Sequence, residues 1–323
     1  MLNPVFRREL YTTLRSWKTY GALTAYVAIL IAVEQIAMGT NMGNYNYGYY
    51  GGYGFDPQSI TTLYSILAGF QFVLIAIITP ALTAGSIAGE RERQTLNLML
   101  ITKMSTFKIA VGKLMSSLSI IVLLIIASMP VFAMVFYYGG VSIFDLLAVI
   151  LYTILSAAAM GSICIFLSSL FKRTVSATVL SYITIMVLCI GTFIAALIVY
   201  LIFNVLYSYR PYVSSLSSVM PAGQTIGAIS AGAINAIFIG IFSLNPFMGF
   251  LSIIDTQMGT GTVDSLFREI NYMYTYGSYY AGGNSNSINL WAYNIVANIA
   301  IIALMLFSTS RVLMPVKPSR KNK

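Results

Sequence analysis

Six apolar runs, each close to or above the roughly 20 residues that a helix needs to cross a hydrocarbon core, dictate what this chain can fold into. They cover about Thr19–Met38, Ile60–Leu82, Leu114–Phe136, Leu146–Leu170, Val175–Phe203 and Ile288–Ser308. Only 8% of the residues are charged, against about 25% in soluble domains, so little of the surface can face water. The expected fold class is all-α, a polytopic membrane protein with six transmembrane helices. The first run follows a basic stretch and has no small-residue cleavage site after it. It is read as a retained helix, not a signal peptide.

Six crossings put both termini on one side of the bilayer. Of the 18 basic residues, all but Arg210 and Arg268 then fall on that side. Asp56, Asp145, Asp255, Asp264 and Glu269 fall on the other. Basic residues stay cytoplasmic, so both termini are expected in the cytoplasm. The expected location, not fixed by charge, is the plasma membrane of a bacterial or archaeal cell, as a multi-pass chain. The net charge of +9 is thereby a topology signal, and no nucleic-acid partner is expected.

The segments between the runs are informative. Residues 1–18 form an expected N-terminal interfacial helix, with Asn3 and Pro4 at its start. Its apolar stripe is Phe6, Leu10, Leu14 and Trp17, flanked by Arg7, Arg8, Arg15 and Lys18, the pattern of a helix lying on a membrane surface. Residues 19–323 are expected as a single six-helix transmembrane domain. Two tyrosine-rich stretches, 41–54 and 272–283, read as interfacial packing on the outer side or as a ligand-binding rim. Within about 204–287, Pro221 to Phe242 is rich in small apolar residues, and Phe247 to Ile254 after Asn245-Pro246 is too short to span. An outer re-entrant hairpin keeps the tail on the basic side, whereas a seventh crossing does not.

Several chemistries are excluded. The chain has no histidine and two cysteines, Cys164 and Cys189, both inside apolar runs. Histidine-dependent triads are impossible, a metal site or disulfide framework is not expected, and the cysteines read as packing residues. No catalytic residue is assigned. An integral membrane enzyme is thereby the weakest functional class. Glu34 near the outer end of the first run reads first as a carboxylate meeting water or a neighbouring amide, and second as part of a polar path.

The one strongly charged stretch follows Pro80, which can kink or end the second helix. It runs Gly89-Glu90-Arg91-Glu92-Arg93-Gln94-Thr95-Leu96 and continues to Thr102-Lys103-Met104-Ser105 and Gly112-Lys113. Glu90 and Arg93 are neighbours on a helix, and Leu96, Met99 and Leu100 supply an apolar face, so a short amphipathic helix is expected over about 86–104. No phosphate-binding Gly-x-x-x-x-Gly-Lys-[Ser/Thr] motif occurs.

This order of residues resembles the permease subunit of type-2 ATP-binding-cassette (ABC) exporters. The resemblance covers most of the chain and departs from the family at Gln94, where many relatives carry glycine. It implies that 86–104 is a cytoplasmic coupling helix, with Glu90, Arg91, Glu92, Arg93, Thr95 and Leu96 making the contact to an ATPase. It implies two copies of a separate cytoplasmic ABC ATPase subunit holding ATP and Mg, a second permease as homodimer or related paralogue, and no cofactor in this chain. The first two helices would carry the motion into the bundle. In this family the second and fifth helices line the dimer axis, so Thr61, Tyr64, Ser65 and Gln71 with Thr178, Ser181, Tyr182 and Thr184 are candidates for a substrate path. Their composition suits helix–helix hydrogen bonding equally well. The alternative to an exporter is an ATPase-coupled scaffold or sensor that transports nothing.

Overall fold

The computed structural model describes residues 15–42, 57–95, 105–137, 139, 141–208, 231–261 and 289–313. In chain order its elements are α1 (Trp17–Met42), α2 (Pro57–Thr83), the short α3 (Ala88–Glu92), α4 (Thr106–Tyr137), α5 (Ile143–Leu170) and α6 (Thr174–Met186). A π-helical turn (Val187–Gly191), α7 (Thr192–Ser208), α8 (Ala231–Ser243), α9 (Pro246–Met258) and α10 (Leu290–Val312) follow. The chain is an all-α polytopic membrane protein. Six helices, with α6, the π turn and α7 counted as one, are long and apolar enough to cross a bilayer. The pair α8–α9, bent by 106°, makes a seventh only if it is a single broken span. The expected interfacial helix falls outside the described residues up to position 14, as do positions 96–104 of the expected coupling helix and most of both tyrosine-rich stretches.

Helix limits differ from the apolar runs for local reasons. Pro80 lies inside α2, and three residues later the helix gives way to the turn Ala84–Ile87. α4 starts at Thr106, well before the apolar run at Leu114, because nothing in Thr106–Lys113 breaks a helix. α5 opens with a capping box in which Ser142 and Asp145 exchange hydrogen bonds with each other's backbone.

Contacts divide the chain into two compact units, Met1–Ile185 with Asn298–Lys323, and Met186–Ala297. In the first, α1, α2, α4 and α5 pack on one another. Ile75, Ile121, Ile125 and Ala157 form one core cluster, and the rings of Tyr64 and Phe132 meet edge-on at 6.3 Å. α5 presents a buried run from Ser156 to Ser162 in which every residue but Met160 is small. Small residues let helices approach closely where lipid removes the hydrophobic drive to associate. Gly161 shows the limit, since a Cβ there would stand 3.0 Å from Leu114 Cδ1 and 3.4 Å from Thr83 Cγ2. The buried hydroxyls of Thr79, Thr83, Ser128, Thr153 and Ser162 donate to carbonyls three or four residues earlier in their own helices, so their burial costs little. Glu34 is buried and its Oε1 lacks a hydrogen-bond partner. Large apolar side chains such as Ile126, Leu151 and Leu304 point outward, as a lipid solvent allows.

In the second unit the bend between α8 and α9 is held by amides. Asn245 caps α9 by accepting from the Phe247 N–H, and its Nδ2 donates to the Cys189 carbonyl at 2.9 Å and to Thr192 Oγ1 at 2.7 Å. Asn294 of α10 donates to the carbonyls of Ser243 and Asn245 at 2.8 and 2.7 Å. Ala196, Phe238, Met248 and Leu290 close apolar contacts around this knot.

Replacing Gly161 with leucine should overpack the α5 crossing and cost about 1–3 kcal/mol. Thermal melting in detergent should show a clearly lowered midpoint for Gly161→Leu and a small change for Gly161→Ala.

Candidate functional site

The site is the elbow between the second and third spans. Pro80 lacks a backbone donor, α2 ends at Thr83, and the chain turns into the single helical turn α3. That turn ends in a Schellman arrangement, with Thr95 N–H donating to the Glu90 carbonyl and Gln94 N–H to that of Arg91. Such an ending requires a left-handed residue, and Gln94 has φ +60°. Glycine adopts this conformation without penalty, whereas glutamine does so against a steric cost. The helix stops at Glu92 with Arg93 as its C-cap, so the helix expected over about 86–104 is broken at Arg93–Thr95.

Glu90 instead reaches α4, where Oε1 meets Lys113 Nζ at 2.8 Å. Lys113 is buried, with 2% of its surface exposed. The elbow also lies along the junction of α5 and α6. Ser168 Oγ accepts from the Ile87 and Ala88 N–H groups at 3.1 and 2.9 Å. Arg91 Nη1 donates to the Phe171 carbonyl at 3.2 Å. Glu92 Oε2 accepts from Thr174 Oγ1 at 2.8 Å and from Thr174 N–H at 3.3 Å.

The Thr174 hydrogen bonds, chiefly the hydroxyl's, and then the charges of Arg173 and Arg93 hold the Glu92 carboxyl below its ordinary value of 4.5. A depressed folded value means that this contact's stabilisation is complete above the ordinary value and is lost as pH falls through the depressed one. Beneath the elbow, Ile87, Ala110, Leu114, Ile165, Leu306 and Leu313 pack together, and Thr106 shares a 2.9 Å hydrogen bond with Ser310 of α10.

The expected coupling residues therefore divide. Glu90, Arg91, Glu92 and Thr95 make contacts within the chain, Glu92, Arg93 and Thr95 are exposed, and Leu96 lies outside the described residues. Ser168, Thr174 and the inward role of Lys113 were not foreseen. Their signal was weak, two ordinary hydroxyls flanking the Phe171-Lys172-Arg173 break.

The candidate path residues are not brought to one surface. Tyr64 and Gln71 are buried and line a small pocket with Ser128, Phe132, Leu146 and Val149. Ser65, Thr178, Ser181 and Thr184 donate to carbonyls of their own helices. Tyr182 donates to the Ile77 carbonyl of α2 at 3.0 Å. Thr61, near the start of α2, is half-buried. Among the described residues no group of three His, Cys, Asp or Glu side chains could hold a metal ion.

Fold and elbow together define a multi-pass helical membrane protein with a charged element between its second and third spans. The profile of the family described as ABC-2 family transporter protein matches residues 4–307, and the chain belongs to that family. It is a membrane permease component of an ABC transporter, a transport subunit that is not itself catalytic and that works with an ATP-binding subunit. Comparison with curated proteins gives no match.

If the Glu90–Lys113 pair fixes α3 to α4, Glu90→Gln and Lys113→Met should each destabilise. Together they should cost less than their sum by about 1–3 kcal/mol, read from melting midpoints in a double-mutant cycle. Strict additivity would show the pair to be energetically idle.

Proposed function

We propose that this permease is an exporter subunit that works as a dimer, driven by two cytoplasmic ATPase subunits that hold the ATP and Mg. The observation that carries this reading is the elbow, a charged turn of fixed shape whose outer edge, Arg93-Gln94-Thr95, is exposed. Glu90 and Arg91 are drawn inward and give the elbow its shape. The ATPase docks on the exposed edge and on the residues that follow, including Leu96. A ligand-driven change in such a contact biases a two-state bundle only through differential affinity for its states, which a rigid docking edge supplies.

The distribution of basic residues supports an elbow and termini facing the cytoplasm of a bacterial or archaeal cell. The α8–α9 pair is re-entrant from the outer side in this reading. Cys189, which accepts from Asn245, precedes the end of the fifth span at Ile202 by about 20 Å of helix, so the bend is tied within apolar spans and not beyond them. Polar backbone at that depth persists only where protein satisfies it, and the two asparagines do so.

The fifth span is the least covered of the six, with 11% of its apolar window buried. That supports a second permease against it, with the accessible Thr61 and Ser65 of the second span and Thr178, Tyr182 and Thr184 of the fifth bordering the path, while Tyr64, Gln71 and Ser181 are buried within the protomer.

Affinity-tagged chain purified from membranes of its native host should bring down an ATP-hydrolysing subunit. Arg93→Glu with Thr95→Ala should reduce that recovery severalfold at unchanged membrane levels of the permease. Full recovery with the double variant would move the docking site elsewhere.

A further inference from the structure

The contacts of the elbow fall on both sides of a helix break. α5 ends at Leu170, Phe171 is extended at φ −91° and ψ 148°, and α6 starts at Thr174. The elbow and this junction run side by side in the same direction. Ile87 and Ala88 are bound at Ser168, Arg91 at Phe171, and Glu92 at Thr174. Ser168 belongs to α5, Thr174 to the first residue of α6, and Phe171 to the break between them. A segment fixed at both ends of a hinge sets the hinge angle.

The two ends are unequal. Ser168 is fully buried and satisfies two backbone N–H groups, donors that would be costly to leave unpaired. The Glu92–Thr174 contact is exposed, so water can replace either partner at little cost. Under load the exposed end yields first. The carboxylate also satisfies the orphan N–H at the start of α6 and sits favourably at the positive end of that helix's dipole.

We infer that Glu92 and Thr174 form a releasable catch: the elbow stays fixed to α5 through Ser168, and opening of the catch frees the fifth span to swing about Phe171–Arg173. The inference rests on the proposed ATPase-driven function and places the stroke at the α5–α6 hinge, not in the first two helices. Glu92 and Thr174 are positioning residues that touch neither nucleotide nor cargo.

The test uses the complex purified from native-host membranes in a background with Cys164→Ala and Cys189→Ala. Spin labels are carried at Met115→Cys and Val179→Cys, positions about half exposed on α4 and α6, and their separation is measured by pulsed EPR without nucleotide and with ATP and Mg. With native Glu92 and Thr174 the separation should shift on ATP addition. With Glu92→Ala or Thr174→Ala the ATPase should still copurify, but the ATP-dependent shift should be lost, while Thr174→Ser should keep it. An undiminished shift in Glu92→Ala overturns the catch. Loss of the copurifying ATPase in Glu92→Ala also overturns it, by making Glu92 a docking contact, and leaves the functional reading intact. Absence of any ATPase with the unsubstituted chain defeats that reading itself.

Discussion

Hydrocarbon offers a peptide group no hydrogen-bond partner, so every place where a membrane helix stops or bends must find one inside the protein. Among the described residues three breaks are met by particular side chains, two where the elbow meets the water-accessible α5–α6 junction and one between α8 and α9. The elbow after Thr83 is met by Ser168, whose oxygen takes the Ile87 and Ala88 donors. The break at Phe171 is met by Arg91 and Glu92. The bend at Leu244–Asn245 is met by Asn245 and Asn294, and the π turn that precedes Thr192 supplies the Cys189 carbonyl that Asn245 uses. Elsewhere many of the buried hydroxyls of the spans bond to their own helices and leave packing to small residues and apolar contacts.

That division explains where motion can be built in. A helix satisfied internally moves as a rod, whereas a break satisfied by exposed, exchangeable contacts can open at modest cost. The elbow and the α5–α6 junction share one set of such contacts, buried at one end and exposed at the other. The Glu90–Lys113 pair fixes the elbow's third side to α4. A displacement of the exposed edge therefore has a defined place to go.

Much of the fold was legible in the sequence because bilayer thickness imposes length and the apolar runs display it. All six expected crossings correspond to helices, and the ABC-2 family resemblance read from the Glu-Arg-Glu segment after Pro80 agrees with the family profile. Less could be read where shape depends on which partner a polar group finds. The spacing makes Glu90 and Arg93 helix neighbours, but nothing local marks Lys113, 23 residues on, as the partner that Glu90 meets. The hydroxyls of the fifth span suited a path lining and helix–helix hydrogen bonding equally, and those of Thr178, Ser181 and Thr184 donate to their own helix. Asn245 and Asn294 are far apart in sequence, and nothing local marks them as partners.

The central claim is that the edge after Arg93 is where an ATP-binding subunit meets this permease. Site-specific photo-crosslinking tests it most directly, with p-benzoylphenylalanine in place of Gln94 in native membranes. The claim predicts an adduct between the permease and an ATP-binding protein, formed on the cytoplasmic side. Adducts confined to lipid, or to proteins of the outer face, would contradict it.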